Sequence, residues 1–161
     1  MKTFVSNSLL LSAFLLNAPM AHAQISFASI EEMIKDADVI AVVEVLEARP
    51  ARITEANLRH KDMVANMRIE TVIKGEMPTG VTASMFLMDG FPYVTVDVRP
   101  GTYLVFLRLH EDVLLNSNWH VSLRPIREGS VEWFSERTKN VVYLSLDDVT
   151  AEIRATLSSG L

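Results

Sequence analysis

The feature that most constrains this fold is one run of side chains, Val39-Ile40-Ala41-Val42-Val43-Glu44-Val45-Leu46. Successive residues of a strand point to opposite faces, so a strand with one wet face must alternate. This run does not alternate. It is β-branched and apolar at both parities, which predicts a strand buried on much of both faces. Tyr103-Leu104-Val105-Phe106-Leu107 is a second run of the same kind. Arg49-Pro50 closes the first, because proline has no N–H to give to a ladder. Glu44 is its one charge, and if buried it needs a partner or a raised pKa.

Around these two runs lie strands with one wet face. Met67, Ile69, Thr71 and Ile73 alternate with Arg68, Glu70 and Lys74, and Val81, Ala83, Met85 and Leu87 alternate with Thr82 and Ser84. Phe86 and Met88 share the face opposite Met85 and Leu87, and a helix is their expected cover; left bare, they would form an apolar patch for a partner. Turn chemistry marks Lys74-Gly75 through Pro78-Thr79-Gly80, Asp89-Gly90-Phe91-Pro92 and Arg99-Pro100-Gly101-Thr102. Tyr93 to Val98 reads as a brief edge strand. Trp119 to Leu123 and Ser130 to Phe134 read as short strands around an Arg127-Glu128-Gly129 turn.

Helix signals stand at both ends of this β-rich stretch. Ser29 precedes Glu32 by three residues, a capping-box spacing, and Ile30, Met33, Ile34 and Ala37 follow at helical intervals, ending near Asp36. Ser145 can cap a helix over 146–158, with Asp147 and Asp148 in the first turn where the dipole favours negative charge. Leu146, Val149, Ile153 and Leu157 make one apolar stripe to lay against a sheet. The expected fold is mainly β (α+β): a small OB-like Greek-key barrel of five to seven strands, with a short N-terminal helix and a C-terminal helix.

The chain opens with Met1-Lys2-Thr3, an apolar Leu9–Leu16 segment and Ala21-His22-Ala23. That is the arrangement of a cleaved signal peptide over 1–23, leaving one domain over 24–161. Asn17, Pro19 and His22 interrupt the segment well short of the ~20 apolar residues a spanning helix needs. The expected location is therefore outside the cytoplasm, periplasmic or secreted. The chain has no cysteine, which excludes a disulfide scaffold, a thiol nucleophile, a thiolate zinc site and a lipid anchor at the cleavage point. No membrane anchor is expected after cleavage. Fifteen basic against 20 acidic residues leave a net charge of −5, which argues against nucleic acid as a partner. The expected partner is an envelope or extracellular protein of unknown identity.

Few residues invite chemistry. His110, Asp112 and His120 form the best metal candidate, since imidazole and carboxylate suit zinc and a strand-loop-strand can gather them. Solvated loop polars are the plainer account. His60 with Asp62 is a weaker base-and-orienter pair, and no glycine-flanked nucleophile elbow occurs. Glu31-Glu32 and Asp147-Asp148 are explained by first-turn capping. No phosphate loop is present, and no cofactor is expected. Trp119, Trp133, Phe134 and Tyr143 concentrate aromatic surface late in the chain, either as core or as a binding face. The leading expectation is a non-enzymatic binding module. The alternative is a metal-dependent enzyme or metal-binding protein using His110, Asp112 and His120.

Three segments together resemble a known family: Ala37-Asp38 with the strand Val39 to Val45, Val72-Ile73-Lys74-Gly75, and Pro100-Gly101-Thr102-Tyr103-Leu104-Val105-Phe106-Leu107. They resemble small exported bacterial proteins similar to the netrin-like domain, the fold of the tissue inhibitors of metalloproteinases. The resemblance implies a five-stranded OB-type barrel with flanking helices over roughly Ile30 to Phe134. The inhibitors' N-terminal cysteine and disulfides have no counterpart here, so the resemblance carries a fold and no functional residue.

Overall fold

The computed structural model describes residues 29–51, 63–87, 98–117, 122–135 and 140–160. The expected signal segment, His60 with Asp62, the 89–92 turn and all but Val98 of the expected 93–98 strand lie outside these residues.

The described chain runs α1 (Ile30–Asp36), β1 (Val39–Pro50), β2 (Met63–Lys74), β3 (Thr82–Leu87), β4 (Gly101–His110), β5 (Val113–Asn116), β6 (Leu123–Arg127), β7 (Ser130–Ser135), β8 (Asn140–Ser145) and α2 (Leu146–Ser158). Hydrogen bonding orders the strands β1-β2-β3-β5-β4-β6-β7-β8, and an added β1–β4 pairing closes the first five into a barrel. All neighbours in the barrel are antiparallel except β3 and β5. The fold is thus the mainly β, OB-like barrel with a helix at each end of the described chain. The closed barrel has five strands, within the expected five to seven, and the described residues hold eight strands in all.

Closure needs strong coiling. The register of β1 against β2 shifts at Ile40/Ala41, Val42/Val43 and Val45/Glu47. Such bulges increase local twist and bend a long strand around a barrel.

The two unbroken apolar runs are the strands between two cores. From β1, Val39, Ala41, Val43 and Val45 fill the barrel, while Ile40 and half-buried Val42 point outward into a second core. From β4, Tyr103, Val105 and Leu107 point in, while Leu104 and Phe106 point out. The second core is completed by Met33 and Ile34 of α1, Val131 and Trp133 of β7, and Val149 and Ile153 of α2.

The free edge of β4 is shared. β5 takes its C-terminal half, Leu107 to His110, and β6 takes Tyr103 to Val105. The β6-β7-β8 meander therefore branches off the barrel wall. Pro125 is tolerated in β6 because β4 alone flanks it there; β7 pairs only from Ile126 onward. Glu128 and Gly129, at φ 51° and 74°, turn β6 into β7 in the manner of a type I′ hairpin.

Both helix starts follow their sequence signals. Ser29 N–H donates to Glu32 Oε2 (2.8 Å) and Glu32 N–H to Ser29 Oγ (3.2 Å), a complete capping box. Ser145 Oγ accepts from Asp148 N–H at 3.2 Å. The C-terminal end of α1 is held from β2, where Lys74 Nζ donates to the carbonyls of Ile34 (2.7 Å) and Ala37 (2.5 Å). An ammonium at that end satisfies orphan carbonyls and complements the helix dipole. The next residue, Gly75, has φ +85°, and a Cβ there would meet the Asp38 carbonyl oxygen at 2.5 Å. The Ala37-Asp38 and Lys74-Gly75 segments of the sequence thus meet at one joint.

Glu44 is half-exposed, on the outer face of β1. Arg68 NH2 pairs with it at 2.5 Å, and Arg68 Nε bonds Glu70 at 2.7 Å. An exposed pair of this kind adds little stability.

Candidate binding site at the mouth of the barrel

One end of the barrel is left open by the way β1, β3 and β4 begin and end. Asp38, just before β1, donates its N–H to Leu107 O (2.8 Å) and accepts Leu109 N–H on Oδ2 (2.8 Å). This pins the end of β4 beside the start of β1. The β2–β3 connection passes beneath through Gly75, whose missing Cβ permits the close approach. At the far side β4 turns into β5 through Glu111 and Asp112, with Glu111 at φ 55°.

These elements enclose a cavity of about 440 Å³. Val39, Met77, Ala83, Leu109 and Leu114 give it an apolar lining, and Glu76 and Asp112 bring carboxylates. Leu109 lies two residues beyond fully buried Leu107 on the inward row of β4, yet it is 54% exposed. The barrel's interior row therefore continues into solvent at this mouth. Phe86 also lines the cavity, half-buried, with Leu115 of β5 as its strand neighbour. Its anticipated partner on that face, Met88, lies outside the described residues.

A second cavity, of about 420 Å³, lies where β4 and β6 part, against Arg99, Thr102, Tyr103 and Arg127. The Tyr103 hydroxyl donates to Arg99 O at 3.0 Å and accepts Arg99 N–H at 3.3 Å, bracing its wall. This cavity is the more polar of the two.

Of the residues singled out from sequence, the structure describes His110, Asp112, Trp133 and Tyr143, and these four do not gather at one place. His110 ends β4 and Asp112 stands in the turn two residues on, both exposed; His120 lies outside the described residues. Among the described residues no three histidines or carboxylates gather as a metal cage. Asp112 does line the mouth cavity. Of the aromatic set, Trp119 and the Phe134 side chain lie outside the description. Trp133 is 9% exposed and Tyr143 59%. The β7–β8 register sets Trp133 opposite Val142 and Glu132 opposite Tyr143, so the two rings project from opposite faces and share no surface.

Trp133 instead belongs to the second core. It meets Phe106 edge-on at 6.4 Å, and the Arg124 guanidinium lies 4.2 Å from its ring centroid. Arg124 is 7% exposed, and among the described residues its Nε has no hydrogen-bond partner. Burial pushes its pKa down to about 10, only partly offset by Glu132.

Sequence reasoning missed the mouth because its lining comes from five separate segments. The only local signal was Phe86, apolar on a strand face otherwise polar at Thr82 and Ser84.

Comparison with family models and with curated proteins yields no match. No helix among the described residues is long and apolar enough to cross a membrane.

Proposed function

We propose that this chain is an exported, non-enzymatic binding module whose ligand docks at the mouth of the barrel. The observation that carries the reading is the apolar cavity of about 440 Å³ there, with Leu109 of the interior row laid open. Barrel mouths are a usual place for pockets of ~300–1,000 Å³ that combine apolar walls with a few polar groups. Export rests on the signal-like segment over 1–23, and a netrin-like relationship rests on the three sequence segments quoted for it. The partner class is an envelope or extracellular protein.

Titration with the neutral dye Nile red tests the site. A saturable rise in fluorescence is expected, lost in Leu109→Asp, whose exposed position lets the variant fold. Equal dye binding by that variant overturns the assignment to the mouth. A stoichiometric metal in the purified protein, lost on His110→Ala, would favour the metal-dependent reading instead.

A further inference from the structure

We propose that the barrel mouth seats an extended, positively charged segment of a partner protein along the open edge of β3. This rests on the mouth being the binding site, and it specifies the occupant. Three observations converge on it.

The first is the strand edge. β3 pairs with β2 from Thr82 to Leu87, but with β5 only at Met85 and Phe86. Among the described residues, no strand pairs with Thr82, Ala83 or Ser84 on the side away from β2. The cavity is bordered by Ala83, Ser84 and Phe86. These residues are of both parities, so the cavity meets β3 edge-on rather than across one face. Unused peptide N–H and C=O groups along an edge are the template on which an extended peptide adds a strand.

The second is the apolar floor. An added strand would turn every other side chain toward Leu109, Leu114 and Met77, so the segment needs apolar residues at alternate positions.

The third is charge. Glu76 enters from the β2–β3 connection and Asp112 from the β4–β5 turn, and among the described residues no lysine, arginine or histidine lines the cavity. Among the described residues neither carboxylate has an ion-pair partner. A ligand carrying lysine or arginine between its apolar residues supplies the missing charge, while an acidic one is repelled. The net charge of −5 acts in the same direction at long range.

The test uses the mature chain and end-blocked, fluorescein-labelled peptides of about seven residues, long enough to span this edge at ~3.4 Å per residue. One alternates lysine with leucine, one glutamate with leucine, and one is the lysine peptide with alternate backbone amides N-methylated. Saturable anisotropy is expected for the first and at least tenfold weaker binding for the other two. The double variant Glu76→Gln/Asp112→Asn should weaken the lysine peptide by about tenfold, from two partly solvated charge contacts. Equal binding of the acidic and basic peptides, indifference to N-methylation, or no effect of the double variant overturns the proposal. Dye binding without any peptide binding overturns the peptide and keeps the mouth as a site; binding of neither removes both.

Discussion

The two cores share the walls β1 and β4 but are built differently. The barrel interior is filled by aliphatic side chains and methionines, with Tyr103 as the aromatic among its buried members. The outer core holds Phe106 and Trp133, is roofed by two helices and a branching meander, and has the buried cation Arg124 against it. A small closed barrel has a narrow, regular interior, so small branched residues suffice to fill it. The outer core is assembled from attached elements with edges. Large rings bridge the uneven gaps there, and a guanidinium is tolerated where a tryptophan face and Glu132 partly replace water.

The sharpest way to break this comparison is at neighbouring residues of β4. Phe106→Ala empties the outer core and should cost about 3–5 kcal/mol, and Leu107→Ala empties the barrel for about 2–5 kcal/mol. If the cores unfold as one unit, both variants lower a single denaturant transition. A separate early transition in Phe106→Ala alone would make the outer layer its own unit.

Gly75→Ala strikes the joint between the cores. A side chain at φ +85° against the Asp38 carbonyl should cost about 2–3 kcal/mol in urea unfolding. A neutral outcome would mean that the joint yields freely.

Arg124→Met sharpens the contrast from the other direction. The orphaned Nε and the desolvated charge cost more than the ~1–2 kcal/mol that a stacked cation returns, so the variant should be more stable by about 1 kcal/mol. The pH dependence has a definite sign. The folded-state pKa of about 10 lies below the ordinary arginine value, so the unfolded chain holds the proton more tightly between the two. Wild-type stability from this group therefore rises as pH climbs through that window. The advantage of Arg124→Met should be constant near neutrality and shrink above about pH 10, as followed by unfolding at a pH series.

The smallest effect belongs outside both cores. Glu44→Gln loosens the exposed pair with Arg68 and should cost under about 1 kcal/mol, less at high salt.

The fold was legible where local chemistry sufficed. The capping box at Ser29, the cap at Ser145 with the stripe Leu146 to Leu157, and the turn at Glu128-Gly129 are short-range signals. β5 and β8 escaped notice for different reasons. Val113-Leu114-Leu115-Asn116 is too short to show a period, and Asn140–Ser145 is apolar at several successive positions without alternating. Of the expected strand at 119–123 only Ser122 and Leu123 are described; β6 runs from Leu123 to Arg127, with Pro125 where only one neighbour demands hydrogen bonds. The aromatic cluster was legible as composition alone. Whether Trp133 and Tyr143 share a face depends on the β7–β8 register, which no single strand encodes.

By itself the sequence determined that two strands had to be buried on both faces, because runs apolar at both parities admit no wet side. It also determined both helix starts, through side chains three residues apart. Only the tertiary structure decided what lies on each face of those strands, that β1 and β4 close a barrel, and that Leu109, Glu76 and Asp112 meet at its mouth. Those pairings join residues far apart in the chain, and their energy comes from burial and hydrogen bonding that exist only once the barrel has closed.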